Sequence, residues 1–396
     1  MVNSDSLVLV LNAGSSSLKF GIYADASCDE SAPRLYHGEF CQFDAHPHFN
    51  LIQDGGETLL NEPADCRNHE QAVHQLLNWM ERELGDRPLH AAGHRVVHGG
   101  REFTSPLLID RKNLQVLRSL VPLAPLHIPH NLAAIEALLT SHPALPQVAC
   151  FDTAFHHDMA WPEQAYAIPR EWFAAGVRRY GFHGLSYEYI ASTLPDFLGA
   201  AAGGRIIVAH LGHGASLCAM HNRRSVATSM GFTPLDGIPM ATRPGQIDPG
   251  VITWMLREAG LSVAEVDHLL NYHSGLLGLS GISADMQQLL SDDHPAAVRA
   301  VEYFIHHTHR QIASLAATLQ GLDALVFTAG IGENSAEIRQ RLCHHARWLG
   351  IELDAGANAR NSARISKPDS PVSVWCIPTD EARMIVRHTL NVVSKD

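Results

Sequence analysis

A two-domain α/β protein is the fold this sequence predicts, and three observations carry the expectation. The chain has 396 residues, more than one ordinary core holds. Apolar strand-like runs alternate with amphipathic helix-like runs along its length. The pattern also restarts: "LVLVLNAGSSSLKFGIY" at 7–23 and "IIVAHLGHGASLCAM" at 206–220 each read as strand, Gly/Ser turn, strand. Two such hairpins, one opening each half, suggest an internal duplication at the domain level. On these segments alone, a chance match of two short hairpins stays open. No low-complexity linker separates the halves, so the boundary is placed near residue 150 from the restart of the pattern.

Taken in order, the first hairpin is followed by an extended stretch, "PRLYHGEF". In "HEQAVHQLLNWMEREL", Ala72, Val73, Leu76, Leu77, Met80 and Leu84 recur at helical spacing, and Gly85 closes the run. "AAGHRVVHGG" reads as a buried strand ending in a polar loop, and "NLAAIEALL" as a helix capped by Asn131. "QVACFDTAFHH" is a strand delivering Asp152 at its C-terminal end, where open α/β sheets place ligand chemistry. Beyond the second hairpin, Asp248-Pro249 starts a helix ending near Gly260, and Ser262 with Glu265 forms a capping box for the next. A long helix is expected over about 295–320. "DALVFTAGIGENSAEIRQRL" reads as strand, Gly-rich loop, helix, and "VSVWCIPTDEARMIVRHTL" as strand, polar turn, helix.

Composition narrows the function classes. The formal net charge is −12 at pH 7 with 26 histidines taken as neutral, which argues against a nucleic-acid or membrane-surface partner needing an extended basic face. An anionic small molecule stays possible if Arg, Lys and His cluster locally. The seven cysteines, at 28, 41, 66, 150, 218, 343 and 376, are scattered and contain no C-x-x-C pair. They imply a reduced, cytoplasmic protein rather than a disulfide framework or zinc site. The opening "MVNSDSLVLVLNAG" lacks the basic n-region of a signal peptide.

Several motifs bear chemistry, each with a plainer alternative. Gly/Ser turns can present backbone N–H groups and hydroxyls to one anion, with Lys19 adding a point charge; alone they read equally as exposed polar turns. In "TAGIGEN", Gly330 and Gly332 would let backbone approach a nucleotide closely. Arg95 lies among apolar residues in "GHRVVHGG", and Arg243 lies in the Pro/Gly loop "MATRPGQIDPG". Each alone is more often a structural ion pair. Two such arginines with Asp152 and Glu381 make a set suited to phosphoryl transfer, which needs cations on the transferring oxygens and carboxylates near a metal. His183 in "RRYGFHG" is suited to donate to developing charge, or else is a core histidine bonded to backbone. The histidines of "HHTHR" at 306–310 lack the i, i+4 pair and glutamate of a zinc helix.

Read in order, "NAGSSSLKF", "GHRVVHGG", "PLHIPHN", "FDTAFH", "RRYGFHG", "MGFTPLDG", "TRPGQIDPG", "SGISADM", "FTAGIGEN" and "CIPTDEARMI" resemble the acetate kinase family of acyl-phosphate-forming kinases from residue 7 to residue 388. That resemblance implies two duplicated ribonuclease-H-like domains of the actin, Hsp70 and sugar-kinase type with a central cleft. The expected ranges are 1–151, with a C-terminal helix at about 385–396 packing back on it, and 152–384. It also implies reversible phosphoryl transfer from ATP to a short carboxylic acid, with Mg²⁺ (or Mn²⁺), in a homodimer with no nucleic-acid or membrane partner.

By the same resemblance, Arg95 and Arg243 would bind the carboxylate and the phosphoryl group in flight, His183 would donate to it, and His127 would support. Asp152 would orient substrate or metal, and Asn12 and Glu381 would hold Mg²⁺. Ser15, Ser17 and Lys19 match the first phosphate hairpin; His210, Gly212, His213 and Gly214 belong to the second, with His210 its structural member. Asp285, Gly330, Ile331, Gly332 and Asn334 match the adenosine-side loops, and Val97, Leu126, Phe182 and Pro234 the small apolar pocket. The sequence departs from the family pattern at His213 (usually Asn), at Leu185-Ser186-Tyr187 (usually Thr-Ser-His), at Gln246 (usually Asp) and at Gln287 (usually Arg). Acetate is the expected acceptor. Propionate or butyrate, or pyrophosphate as donor, are the enzymatic alternatives; a nucleotide-binding switch is disfavoured by the two arginines.

Overall fold

The computed structural model describes residues 6–24, 32–43, 45–85 and 87–395; Cys28 lies outside them. Contacts divide the chain into two compact units, Met1–Ala154 together with Asp380–Asp396, and Phe155–Thr379. The first boundary falls after Ala154 rather than 151, and the return comes at Asp380 rather than about 385. Asp152 and Glu381 therefore belong to the first unit, not the second.

The first unit holds β1 (Leu7–Ala13), β2 (Ser17–Ala24), β3 (Arg34–Cys41), β4 (His48–Gln53), β5 (Thr58–Pro63), β6 (Leu89–Val96), β7 (Leu107–Leu108) and β8 (Gln147–Phe151) in one sheet of order β5-β4-β3-β2-β1-β6-β8-β7. β1, β2 and β3 pair antiparallel, and β6 and β8 then add in parallel. β8 is buried along its whole length, as a central parallel strand must be. The helices His69–Leu84 and Ile128–Ser141 pack against each other, and Leu76, Val73 and Leu138 join β-strand residues such as Leu9 and Leu11 in one core. The helix Glu381–Val393 packs on β1, β6 and β8. Its close approach needs Gly93 on β6, where a Cβ would come within 2.3 Å of Thr389 Oγ1 and 2.5 Å of an Ile385 methyl.

The second unit holds β9 (Ile206–Leu211), β10 (Ala215–His221), β11 (Arg224–Thr228), β12 (Ala324–Thr328) and β13 (Ser373–Cys376) in the order β11-β10-β9-β12-β13. β9, β10 and β11 pair antiparallel, and β12 and β13 are parallel additions. This is the same plan as β3-β2-β1-β6-β8, so the repeated hairpin belongs to a repeated topology. Among the described residues no helix is long and apolar enough to cross a membrane. Six cysteines are described and none forms a disulfide.

Two expectations need correction, and one element was missed. Asn131 does not cap a helix: Pro129 lets the helix begin at Ile128, and Asn131 lies inside it, fully buried. Residues 329–334 are not a loop but a short helix, Ala329–Asn334, entered through Ala329 at φ +64°. The β4–β5 hairpin was not anticipated at all, because its outer strand is mostly exposed and polar and carries little period-2 signal.

Candidate active site

In the first unit, sheet register assembles the polar cluster. β1, β6 and β8 run parallel side by side, with Leu11 opposite His94 and Arg95 opposite Cys150. Asn12, Arg95 and Asp152 consequently emerge together at the C-terminal ends of adjacent strands. Asp152 is fully buried and takes Arg95 side-on: Nε donates to Oδ1 at 3.2 Å and Nη2 donates to Oδ2. Arg95 Nη1 donates to Asn12 Oδ1 at 3.1 Å, and Glu381 Oε2 lies 3.9 Å from Nε. Burial by itself would weaken the guanidinium's hold on its proton, but Asp152 and Glu381 outweigh it and its pKa is raised. Three of five N–H donors are used, leaving one hydrogen on each of Nη1 and Nη2.

Around this cluster the first hairpin supplies further groups. Gly14 N–H donates to the Ser17 carbonyl at 2.8 Å, closing the turn, and Lys19 sits opposite Asn12 in the register. Ser15 and Lys19 are exposed and Ser17 half-buried. Leu126 and His127 stand half-buried at the start of the helix Ile128–Ser141. The Asn131 amide ties that helix to the cluster's floor, donating to the Ala13 carbonyl at 2.8 Å and accepting from buried Val97 N–H at 3.1 Å.

In the second unit, His183 and His210 stack with ring centroids 4.2 Å apart. His183 Nδ1 meets Ser216 Oγ at 2.8 Å, and His210 Nδ1 meets Ser186 Oγ at 2.8 Å. Glycine at 214 leaves room for both side chains, since a Cβ there would lie 2.7 Å from Arg243 Nη2 and 3.2 Å from His183 Nε2. Arg243 Nη1 donates to the Pro234 carbonyl at 2.9 Å; Phe182, the residue before His183, is buried, its carbonyl 3.0 Å from His156 Nε2. The irregular loop carrying Arg243 is pinned by Ala241 N–H to the His213 carbonyl at 3.2 Å and seats on Gly275, whose φ of +59° no side chain would favour.

A cavity of about 780 Å³ opens in this unit, lined among others by Gly212, His213, Asp285, Gly330, Ile331 and Asn334. Gln287 lines it too. Asp285 caps the helix Met286–Leu290 by accepting from Gln288 N–H at 2.8 Å. Gly332 does not reach the cavity; it is buried against Phe327 on β12. Burial and the Arg243 charge both lower the His213 pKa. A smaller cavity of about 610 Å³, lined by residues between Gln340 and Lys367, contains none of the expected residues.

The chain matches the acetokinase family over residues 7–387. The chain belongs to that family. An acetate kinase of Rhodopseudomonas palustris is 52% identical over 387 residues, covering 96% of this chain and 97% of the relative. One from Rhizobium meliloti is 44% identical over 390 residues, covering 98% of each. Among solved structures, Porphyromonas gingivalis acetate kinase superposes with a TM-score of 0.88 at 34% identity, covering 98% of this chain and all of that one. A propionate kinase from Francisella tularensis does so with a TM-score of 0.91 at 34% identity and the same coverage.

This acetokinase-family chain also carries residues that sequence reasoning missed. Glu333 Oε1 accepts from Ala329 N–H at 2.7 Å and Thr379 N–H at 3.1 Å, fixing the entry to the helix Ala329–Asn334. Arg339, fully buried, spends its donors on neutral oxygens, the Gly332, Glu333 and Asn358 carbonyls and the Asn358 and Asn361 side chains. It thereby closes the far end of that helix. An arginine within an amphipathic helix gives no sequence signal of such a role.

Proposed function

We propose that this chain is an acetate kinase, transferring the γ-phosphoryl group of ATP to acetate to give acetyl phosphate and ADP, reversibly. The single observation that carries the reading is the side-on Arg95–Asp152 pair at the strand ends, in a chain 52% identical to a curated acetate kinase over nearly its whole length. The acceptor carboxylate is already ionised at neutral pH, so no general base is required. Positioning and charge neutralisation supply the catalysis.

In this reading Asp152 holds the Arg95 guanidinium in one plane, and its remaining Nη hydrogens receive the carboxylate. Val97, Leu126, Phe182 and Pro234 are the residues proposed for the short alkyl end. Arg243 and His183 donate to the phosphoryl oxygens, with His127 in support. The hairpin around Ser15, Ser17 and Lys19 and that around Gly212, His213 and Gly214 face phosphate. Asp285, Gly330, Ile331 and Asn334 line the adenosine side.

The residues present fit Mg²⁺ (or Mn²⁺): among the described residues no three His, Cys, Asp or Glu cluster to hold a metal unaided, but Asn12 and Glu381 offer the two hard oxygens expected when phosphate and water complete the shell. When bound, the ion neutralises phosphate charge. Asp152, committed to Arg95, orients that side chain. A homodimeric, cytoplasmic enzyme completes the proposal. The likeness to a propionate kinase favours propionate as a second acceptor.

Acyl phosphate trapped as hydroxamate, with C2 to C4 acids and with ATP against pyrophosphate, tests the proposal. Turnover of acetate with ATP is expected; turnover only with pyrophosphate, or a preference for butyrate in kcat/KM, overturns it.

A further inference from the structure

We infer that Tyr187 and Ser216 are positioning residues that hold the His183 ring with its proton on Nε2, facing the glycine turn of the second hairpin. The inference rests on the phosphate-side role proposed for His183.

The geometry begins in the chain. His183 sits at the N-terminal boundary of the helix Gly184–Leu198 with a left-handed backbone, φ +58°, which fixes the direction of its Cβ. Tyr187 follows four residues later, on the same face one turn on, its N–H bonded to the His183 carbonyl at 3.0 Å. Ser216, on β10 opposite His210 in the register, reaches both side chains. Its Oγ lies 2.8 Å from His183 Nδ1 and 2.6 Å from the Tyr187 hydroxyl, and Tyr187 and Ser216 are completely buried.

Proton counting sets the direction. Burial raises the Tyr187 phenol well above its ordinary pKa, so it keeps its proton and must place it. The geometric contact of the Tyr187 hydroxyl is with Ser216 Oγ, at 2.6 Å. The phenol proton therefore goes to Ser216 Oγ, and the single Ser216 proton goes to His183 Nδ1. Nδ1 becomes an acceptor, and the neutral imidazole carries hydrogen on Nε2. With Nδ1–H donating to Ser216 instead, three hydrogens would share the two contacts and one hydroxyl proton, of Ser216 or Tyr187, would be left over in a buried site.

The Nε2 edge faces the turn, where a Cβ on Gly214 would lie 3.2 Å from it. Ser186 anchors the stacked His210 ring through its Nδ1 in the same way. Tyrosine is the residue at 187. Its hydroxyl offers one proton with one outlet, whereas an imidazole has two ring nitrogens and two tautomers.

The test uses the full chain with ¹⁵N-labelled histidine, comparing the parent with Tyr187→Phe and Ser216→Ala. The His183 ring signals are those lost in His183→Gln, and hydroxamate kinetics are run on the same preparations. The parent is expected to show the Nε2–H tautomer. Ser216→Ala should show a mixed tautomer population and a kcat lower by about tenfold, with KM for ATP and acetate within about twofold. Tyr187→Phe, which removes one buried oxygen and leaves the ring to pack, should move both readouts in the same direction by a smaller amount. Tautomer signals unchanged in both variants, or a kcat unchanged in both, overturns the inference. A parent that makes no acyl phosphate would instead overturn the proposed function, and the tautomer comparison would still decide this one.

Discussion

Asp152→Asn isolates the electrostatic half of the Arg95 clamp while preserving shape. The carboxylate takes two charge-assisted hydrogen bonds, from Nε at 3.2 Å and from Nη2. Each is worth roughly 1.5–3 kcal/mol. The amide keeps one oxygen and turns its NH₂ toward a guanidinium N–H, so one bond is lost and the other, still from a charged donor, loses its ionised acceptor and weakens. Asn12 at 3.1 Å and Glu381 at 3.9 Å still restrain Arg95, and its side chain is 19% exposed, so water recovers part of the loss. A net deficit of about 2–3 kcal/mol remains, or about 10²-fold in kcat/KM for acetate. The hydroxamate assay should show that loss with KM for ATP little changed, and urea denaturation should show the first unit weakened. If kcat/KM for acetate stayed within about threefold of the parent, the clamp would not depend on Asp152 and the reasoning would fail.

Other expectations follow from the same geometry. Gly214→Ala should lower kcat by at least about tenfold with little change in stability, because its methyl would meet Arg243 Nη2 at 2.7 Å; thermal melts beside the kinetics separate the two effects. Val97→Ala should shift kcat/KM toward the next longer acid by about tenfold per methylene, measured across C2 to C4 acids. For His213, burial and Arg243 hold the pKa below 6.5, so it is neutral at pH 7–8 and becomes cationic only in more acidic solution. Nucleotide affinity should therefore gain an acid-side rise that His213→Asn lacks; identical pH profiles would refute it. His94, His98 and His156 are each pushed by burial to about 4. Their folded pKa lies below the unfolded one, so stability is level above about pH 6.5 and falls on acidification until about pH 4. Near pH 5 the combined slope should be roughly 3–4 kcal/mol per pH unit, and a flat urea midpoint from pH 7.5 to 5 would contradict it.

What was legible in the sequence was whatever local chemistry announces. The paired hairpins, the Asn12, Arg95 and Asp152 strand ends and the cavity residues Asp285 and Gly330 all lie where turn chemistry meets an apolar run. Long-range ties were silent. Asn131 reads as a cap because its neighbours start a helix, yet its amide serves two strand ends far off in sequence. Glu333 and Arg339 look like ordinary helix-surface charges, and only packing turns them inward. Ser216 is the second residue of β10, and the inward aim of its hydroxyl at His183 and Tyr187 has no local signature.

The last helix has a consequence for how the chain comes to life. Residues 155–379 contain every strand of their own sheet, whereas the first unit is completed only by Asp380–Asp396. On a ribosome, the earlier-made half must wait with the strand of Gly93 uncovered, while the later-made half can close as soon as β13 emerges. Glu381 arrives with that final helix, so the first unit becomes whole and gains its second acid in one and the same event.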